Sequence, residues 1–250
     1  MKANRWSLAG RSMLGALFAA LQACSAGFPD SPLLELSELP RKALLVAVRG
    51  EAGQLSLLQA TLAYDTSGGF CGTLRSPRAS LGGVPLTVLD AGLRSYPTSS
   101  DGNMHCSFPI FELPQGPLPP GPLTISDGRT TLTAEFAGLD PGRPRKVAPA
   151  GTDLAAGQTV QMHVDQPDGV PVRDLALRSA NAQETHWYEW PGATSTSAGD
   201  LAVTVPDLAV GDVTLLLSWT IGATSTACTG FSSCTARVEA STRFTVTIRR

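Results

Sequence analysis

The stretch DVTLLLSWTI, residues 212–221, decides the fold class of this chain. Its apolar side chains recur at every second position, which places five of them on one face of an extended strand: Val213, Leu215, Leu217, Trp219 and Ile221. A period of two is typical of a strand with one buried face, whereas an amphipathic helix has a period near 3.6. The stretch therefore predicts a half-buried β-strand.

The same alternation recurs along the chain, and helical periodicity is almost absent after residue 24. RVEASTRFTVTIRR, residues 237–250, again places apolar side chains on one face. GPLTISDGRTTLTAEF, residues 121–136, contains two alternating runs around Asp127-Gly128. Asp-Gly between two such runs is a strong hairpin signal, because the turn needs residues that tolerate positive φ. The chain is therefore predicted to be all-β.

Two short patterns occur twice in the same order, which suggests a duplicated domain. LPPGPLTI at 118–125 and LAVGDVTL at 208–215 share the pattern L-x-x-G-x-[LV]-T-[IL], and the tripeptide AGQ at 52–54 returns at 156–158. The stretch GLDPGRPRK lies between the two copies and has the Pro- and Gly-rich composition of a linker. The predicted organisation is one domain over 43–137, a linker over 138–146 and a second domain over 147–250.

The L-x-x-G-x-[LV]-T pattern resembles the turn before the penultimate strand of fibronectin type III and bacterial Ig-like domains. The general layout is similar to that of Gram-negative surface lipoproteins with tandem Ig-like modules. This resemblance implies two tandem Ig-like antiparallel β-sandwiches. The chain departs from the immunoglobulin pattern, because the Cys…Trp…Cys spacing is missing. Its second half also contains an insertion, GATSTACTGFSSCTAR at 222–237, which we interpret as a long hairpin loop.

The first 23 residues have the layout of a secretory leader. Lys2, Arg5 and Arg11 precede an apolar run from Met13 to Ala23, and this segment has no acidic residue. The apolar run is well short of the roughly 20 residues that a membrane-spanning helix needs. We therefore expect the protein to be exported.

The leader ends in Leu21-Gln22-Ala23-Cys24, which resembles the lipobox of bacterial lipoproteins, although Gln22 stands where a small residue is usual. The resemblance implies cleavage before Cys24, acylation of its sulfur and a tether over 24–42. Ser25 directly after the cysteine is similar to lipoproteins sorted to the outer membrane. The alternative is an ordinary leader that is cleaved after Ser25. It is also open whether residues 25–42 are tether or part of the first domain.

The chain has five cysteines, and an odd number in an exported protein calls for an explanation. Loss or acylation of Cys24 leaves four, which an oxidising compartment would pair into two disulfides with three connectivities. We predict Cys71–Cys106 and Cys228–Cys234, because each pair is nearest in sequence and lies within one predicted domain.

Composition and motifs argue against several function classes. The chain has 19 basic and 21 acidic residues, and this balance opposes nucleic-acid binding. It contains neither G-x-S-x-G nor H-E-x-x-H, so no catalytic residue, metal site or cofactor is predicted. The three histidines, His105, His163 and His186, leave a catalytic triad open without pointing to one.

The aromatic stretch ETHWYEW, residues 184–190, is the candidate binding site. As a strand it would place His186, Tyr188 and Trp190 on one face, and aromatic side chains with a polar group suit recognition of a protein or a sugar. The alternative, which we favour, is that Trp187 or the opposite aromatic face belongs to the core of the second domain. Both interpretations are compatible, because a strand has two faces.

The sequence as a whole predicts a lipid-anchored, non-catalytic protein of the bacterial cell envelope, with its β-sandwiches displayed for binding or assembly. The expected partners are the membrane, through N-terminal acyl chains, and an envelope protein or glycan. Two alternatives remain: an envelope hydrolase whose site is built from loops, and a structural spacer without a ligand.

Overall fold

A computed structural model gives the fold of the chain. It describes residues 33–52, 54–66, 71–90, 95–97, 104–148, 151–166, 169–180, 187–190, 194–197, 199–206 and 211–249. The strands of these segments, numbered in chain order, are β1 (Leu33–Leu34), β2 (Ala43–Glu51), β3 (Gln54–Thr66), β4 (Thr73–Leu74), β5 (Arg78–Leu81), β6 (Val84–Asp90), β7 (Ser95–Pro97), β8 (Met104–Gly116), β9 (Leu123–Ser126), β10 (Thr131–Ala137), β11 (Arg143–Ala148), β12 (Asp153–Ala155), β13 (Thr159–Asp165), β14 (Val172–Ala180), β15 (Trp187–Glu189), β16 (Thr194–Ser197), β17 (Asp200–Thr204), β18 (Gly211–Ile221), β19 (Thr224–Thr229) and β20 (Ser233–Arg249).

The fold is all-β, as the alternating sequence patterns predict. Strand β2 shows why, because Leu44, Val46 and Val48 are buried while the residues between them are exposed. In β18 the predicted face is also largely correct, since Leu215, Leu217, Trp219 and Ile221 are all buried. Within the described segments, no helix is long and apolar enough to cross a membrane.

Most strands belong to one large curled sheet. Its order is β15-β14-β18-β20-β2-β3-β8-β6-β5-β9-β10-β19, with β12 added to β20 and β7 added to β8. The terminal strand β19 is followed after three residues by β20, which lies in the middle of this order. The Cys228–Cys234 disulfide joins these two strands, with a Cα–Cα distance of 5.9 Å. The sheet therefore curls until its last strand meets β20 again.

A smaller sheet of four strands, in the order β11-β13-β17-β16, covers the second half of the chain. Its Met162, Val164 and Leu201 belong to the same hydrophobic core cluster as Leu215 and Leu217 of the large sheet. The core of the second half therefore takes side chains from both sheets.

Strand β20 connects the two halves and departs from the predicted domain boundaries. Its first part pairs in parallel with β2, from Ala43↔Ser233 to Glu51↔Ser241. Its second part pairs with β18 over 238–248, and β19 pairs with β10 of the first half. The predicted loop at 222–237 is therefore wrong, because these residues form two strands that complete the first half. The pairing also gives no support to a boundary at 138–146 between two self-contained sandwiches.

The predicted linker is packed rather than free. Leu139 is 7% exposed, Pro141 is buried, and the chain enters β11 at Arg143. The backbone oxygen of Pro141 accepts a hydrogen bond from the indole Nε1 of Trp219 at 2.7 Å. Residues 138–146 therefore form part of the contact between the two halves.

The last ten residues of the predicted tether also belong to the folded body. Strand β1 pairs with β4, and Leu36 is fully buried. The backbone N–H of Leu36 donates to Oδ2 of Asp127 at 2.7 Å. The prediction of a tether over 24–42 is therefore wrong for residues 33–42, while residues 24–32 lie outside the described part of the chain.

The Asp127-Gly128 hairpin is present as predicted. Strands β9 and β10 pair antiparallel on either side of it, and Gly128 has a φ of +89°. Asp127 holds the turn, because its Oδ1 accepts the N–H groups of Arg129 at 2.9 Å and Thr130 at 2.8 Å.

Candidate functional site

The structure describes only part of the aromatic stretch at 184–190. Its residues 187–189 form the short strand β15 at one edge of the large sheet, where Tyr188 pairs with Ser179 of β14. Trp190 is 3% exposed, and its backbone N–H donates to the backbone oxygen of Leu177 at 3.1 Å. Trp190 is thus a core residue, in agreement with the alternative favoured above. His186 lies outside the described residues.

Both predicted disulfides are present in the structure. Cys71 and Cys106 are buried and joined, with a Cα–Cα distance of 5.8 Å. The hydroxyl of Tyr64 lies nearby and donates to the oxygen of Gly72 at 2.8 Å. Burial raises the pKa of Tyr64 to about 12. These disulfides indicate an extracytoplasmic protein. The predicted lipidation residue, Cys24, lies outside the described residues.

A cluster of charged side chains crosses the outer face of the small sheet. The register places Arg145 of β11 opposite His163 of β13, and His163 opposite Asp200 of β17. His163 Nδ1 is 2.5 Å from Oδ1 of Asp200, and its Nε2 is 3.0 Å from Oδ1 of Asp165. Oδ2 of Asp165 accepts a hydrogen bond from Nε of Arg145 at 3.0 Å. The cluster thus links β11, β13 and β17 through three side-chain contacts: Arg145–Asp165, Asp165–His163 and His163–Asp200.

The histidine in this cluster is held on both sides. Both ring nitrogens of His163 lie within hydrogen-bond distance of carboxylate oxygens: Nδ1 contacts Asp200 and Nε2 contacts Asp165. No group of three or more His, Cys, Asp and Glu side chains in the described segments is arranged to hold a metal ion. The cluster is therefore best described as a cross-strand link.

Next to the cluster lie two concavities that share Arg143. The larger, about 660 Å³, is lined by Arg143, His163, Val164, Asp165, Gln166 and residues 169–172. The smaller, about 490 Å³, is lined by Gln54, Leu55, residues 116–118, Asp140, Pro141 and Arg143. The second concavity takes residues from both halves of the chain. Binding sites often occur at such junctions, so this region is the candidate functional site.

The backbone before Arg143 is tightly constrained. Gly142 has a φ of +74°, and its N–H donates to Oδ1 of Asp140 at 2.8 Å. A Cβ on Gly142 would lie 3.0 Å from Cγ1 of Val164 and 3.1 Å from the oxygen of Asp165. Glycine at this position therefore allows the chain to turn against β13 and places Arg143 at the edge of the cavities.

Sequence reasoning missed this site because Arg143 lies in a segment that composition marks as a linker. In the sequence, His163 is one of three histidines, and no motif distinguishes it from the other two. The signal that could have found the cluster is the alternation of charged residues: Arg143 and Arg145 on one segment, His163 and Asp165 on another. Two such segments pair with their charged faces together when they are neighbouring strands.

Comparisons with known proteins do not assign a family. No protein-family model matches the chain, and no curated protein matches it. One similar solved structure is a nucleoside hydrolase-related hypothetical protein from Saccharophagus degradans, associated with carbohydrate metabolism; the match has 20% identity, a TM-score of 0.23 and covers 42% of this chain. This chain spans only 25% of that protein's length. Another is the titin domains z1z2 in complex with telethonin, at 10% identity and a TM-score of 0.18, with 85% of this chain and 96% of that chain covered. Both TM-scores are too low to support an argument about fold or activity.

Proposed function

We propose that the chain is a lipid-anchored, non-catalytic protein of the bacterial cell envelope that displays its β-sheet body for binding or assembly.

 The observation that carries this proposal is the lipobox-like sequence Leu21-Gln22-Ala23-Cys24, which places Cys24 nine residues before Leu33, the first described residue. Nine residues span at most about 30 Å when fully extended, so an acylated Cys24 would keep this body close to the membrane.

The two disulfides and the sequence of the leader support export. Each buried CH₂ of an acyl chain contributes about 0.8 kcal/mol to membrane binding, and stable anchoring needs more than one chain. The acyl chains that the lipobox resemblance implies would meet this requirement. The placement in the outer membrane rests on Ser25 alone.

The described surface supports a binding role. The charged cluster around His163 holds its groups in mutual contacts, whereas Arg143 stands at the edge of two concavities. A rigid sheet framework that positions exposed side chains is a common basis for recognition. The proposed partner is an envelope protein or a glycan that contacts the junction between the two halves.

Mass spectrometry of the mature protein and membrane fractionation test the anchor. The proposal expects acyl chains on Cys24 and a membrane-bound protein, and it expects Cys24→Ala to release the protein into the soluble fraction. Because Cys24 takes part in neither disulfide, the variant should keep both Cys71–Cys106 and Cys228–Cys234, which non-reducing peptide mapping checks. An unmodified N-terminus at Ala26 would overturn the anchor.

A further inference from the structure

We propose that Arg143 is the centre of a binding site for small organic anions, with a carboxylate held by its guanidinium and an apolar body lying in the adjoining concavities. The inference names a ligand class for the junction and does not depend on acylation of Cys24.

The first argument is that the carboxylate nearest to Arg143 in the strand pairing contacts other residues. Asp165 lies directly opposite Arg143 in the pairing of β11 with β13, so it is the natural ion-pair partner. Its two oxygens instead contact Arg145 and His163, each at 3.0 Å. Arg143 is exposed, and no ion pair or hydrogen bond of its side chain is present among the described residues. The guanidinium therefore keeps its donors for a ligand.

The second argument is the shape of the surface on either side of Arg143. The larger concavity has Val170, Pro171 and Val172 in its wall. The smaller has Leu55 and Leu118 in its wall. Concavities of about 660 and 490 Å³ fall within the range of small-molecule sites, which combine apolar walls with a few polar groups that fix orientation.

The third argument is the chemistry of the guanidinium. Its planar array of N–H donors matches a carboxylate in a bidentate geometry, which a lysine cannot reproduce. Asp140, which lines the smaller concavity, uses Oδ1 to accept the N–H of Gly142. An anion with an apolar body would therefore satisfy both the cation and the walls, whereas an inorganic anion would leave the walls unused.

The test is a titration of the disulfide-bonded Cys24→Ala chain with hexanoate, followed by two-dimensional ¹H–¹⁵N NMR. Hexanamide, which has the same apolar chain without the charge, is the comparison ligand. The proposal expects saturable shifts of the backbone amides of residues 142, 143, 169, 170 and 172, and at least tenfold weaker binding of hexanamide. It is overturned if hexanamide binds as tightly as hexanoate or if hexanoate causes no saturable shifts.

Two variants of Arg143 and one matched control complete the test. Arg143→Gln should weaken hexanoate binding at least tenfold, and Arg143→Lys should fall between this variant and the unchanged chain. Arg78, which is exposed on β5, is the control, and Arg78→Gln should bind hexanoate as the unchanged chain does. Equal affinity of Arg143→Gln and the unchanged chain would overturn the proposal. Absence of an acyl group on Cys24 of the mature, unsubstituted protein would contradict only the proposed anchor, because hexanoate binding is measured on the Cys24→Ala chain.

Discussion

Replacement of Gly50 by alanine tests the contact between the two halves of the chain. Gly50 lies on β2 and faces inward, where Pro141 of the predicted linker packs against it. An alanine Cβ at this position would lie 2.2 Å from Cβ of Pro141, 2.9 Å from its Cγ and 3.2 Å from Cβ of Ala240. Carbon atoms in contact prefer about 3.5–4.0 Å, so Pro141 or the β2 backbone must move by more than 1 Å.

The expected cost follows from the rigidity of this contact. Forcing extra methyl groups into a packed core usually costs about 1–3 kcal/mol, and Pro141 is further fixed by the hydrogen bond that Trp219 donates to it. Alanine also restricts the backbone of the unfolded chain more than glycine does, which would raise the free energy of unfolding by about 0.4–1 kcal/mol. The net loss in the free energy of unfolding is therefore at most about 2.6 kcal/mol, which corresponds to a decrease in Tm of up to roughly 10 °C for a domain of this size.

Urea unfolding followed by tryptophan fluorescence measures this change. Gly222→Ala is the matched control, because a Cβ there would lie 3.4 Å from Nε of Arg173, the end of a flexible side chain. Its stability should change by less than about 1 kcal/mol. Pro141→Gly removes the clashing atoms, so Gly50→Ala should cost less in that background. Equal costs of Gly50→Ala with and without Pro141 would refute the steric argument.

Four further outcomes are expected. Burial raises the pKa of Tyr64 to about 12. The stabilisation by the protonated Tyr64 hydroxyl is therefore complete below pH 10 and should be lost as pH rises from 10 to 12. Tyr64→Phe should remove this pH-dependent loss of stability in alkaline unfolding curves. Burial acts to raise the pKa of Asp127, but hydrogen bonds from backbone N–H groups hold this pKa below its ordinary value. The stabilisation by the Asp127 carboxylate is therefore present at neutral pH and should be lost as pH falls below about 4. Asp127→Ala should reduce the dependence of stability on pH in the acid range. Replacing both Cys228 and Cys234 by alanine should cost about 2 kcal/mol in the same urea assay. Because β20 is shared, the unchanged chain should unfold in one transition by fluorescence and circular dichroism, and two separate transitions would contradict this.

The local features of the fold could be predicted from the sequence because they depend on neighbouring residues. Alternation in β18 and the Asp127-Gly128 turn are properties of a few consecutive side chains. The disulfide Cys71–Cys106 followed from parity and proximity in sequence. The contacts of Pro141 with Gly50 and Trp219 could not be predicted in this way, because they join residues about 80–90 positions apart and composition alone marks residues 138–146 as a linker.

The site shows the same division between local pattern and long-range pairing. The charges of Arg143, Arg145, His163 and Asp165 can be seen in the sequence, but only the pairing of β11 with β13 decides which of them neutralise one another. Although the register places Asp165 opposite Arg143, Asp165 contacts the diagonal neighbour Arg145 and His163 on its own strand. Within the described residues, the absence of an ion pair at Arg143 therefore follows from side-chain contacts that composition does not show.

Strand β20 joins the two halves that share the L-x-x-G-x-[LV]-T-[IL] pattern. It has 17 residues; residues 238–248 pair with β18, and residues 233–241 pair in parallel with β2. Strand β19 then pairs with β10, and the Cys228–Cys234 disulfide fixes the turn at which the chain passes from β19 into β20. The segment that a comparison of the two halves marks as an insertion thus completes the sheet of the first half. A pattern search within each half cannot find such pairing, because both partners look like ordinary strands until the whole chain is present.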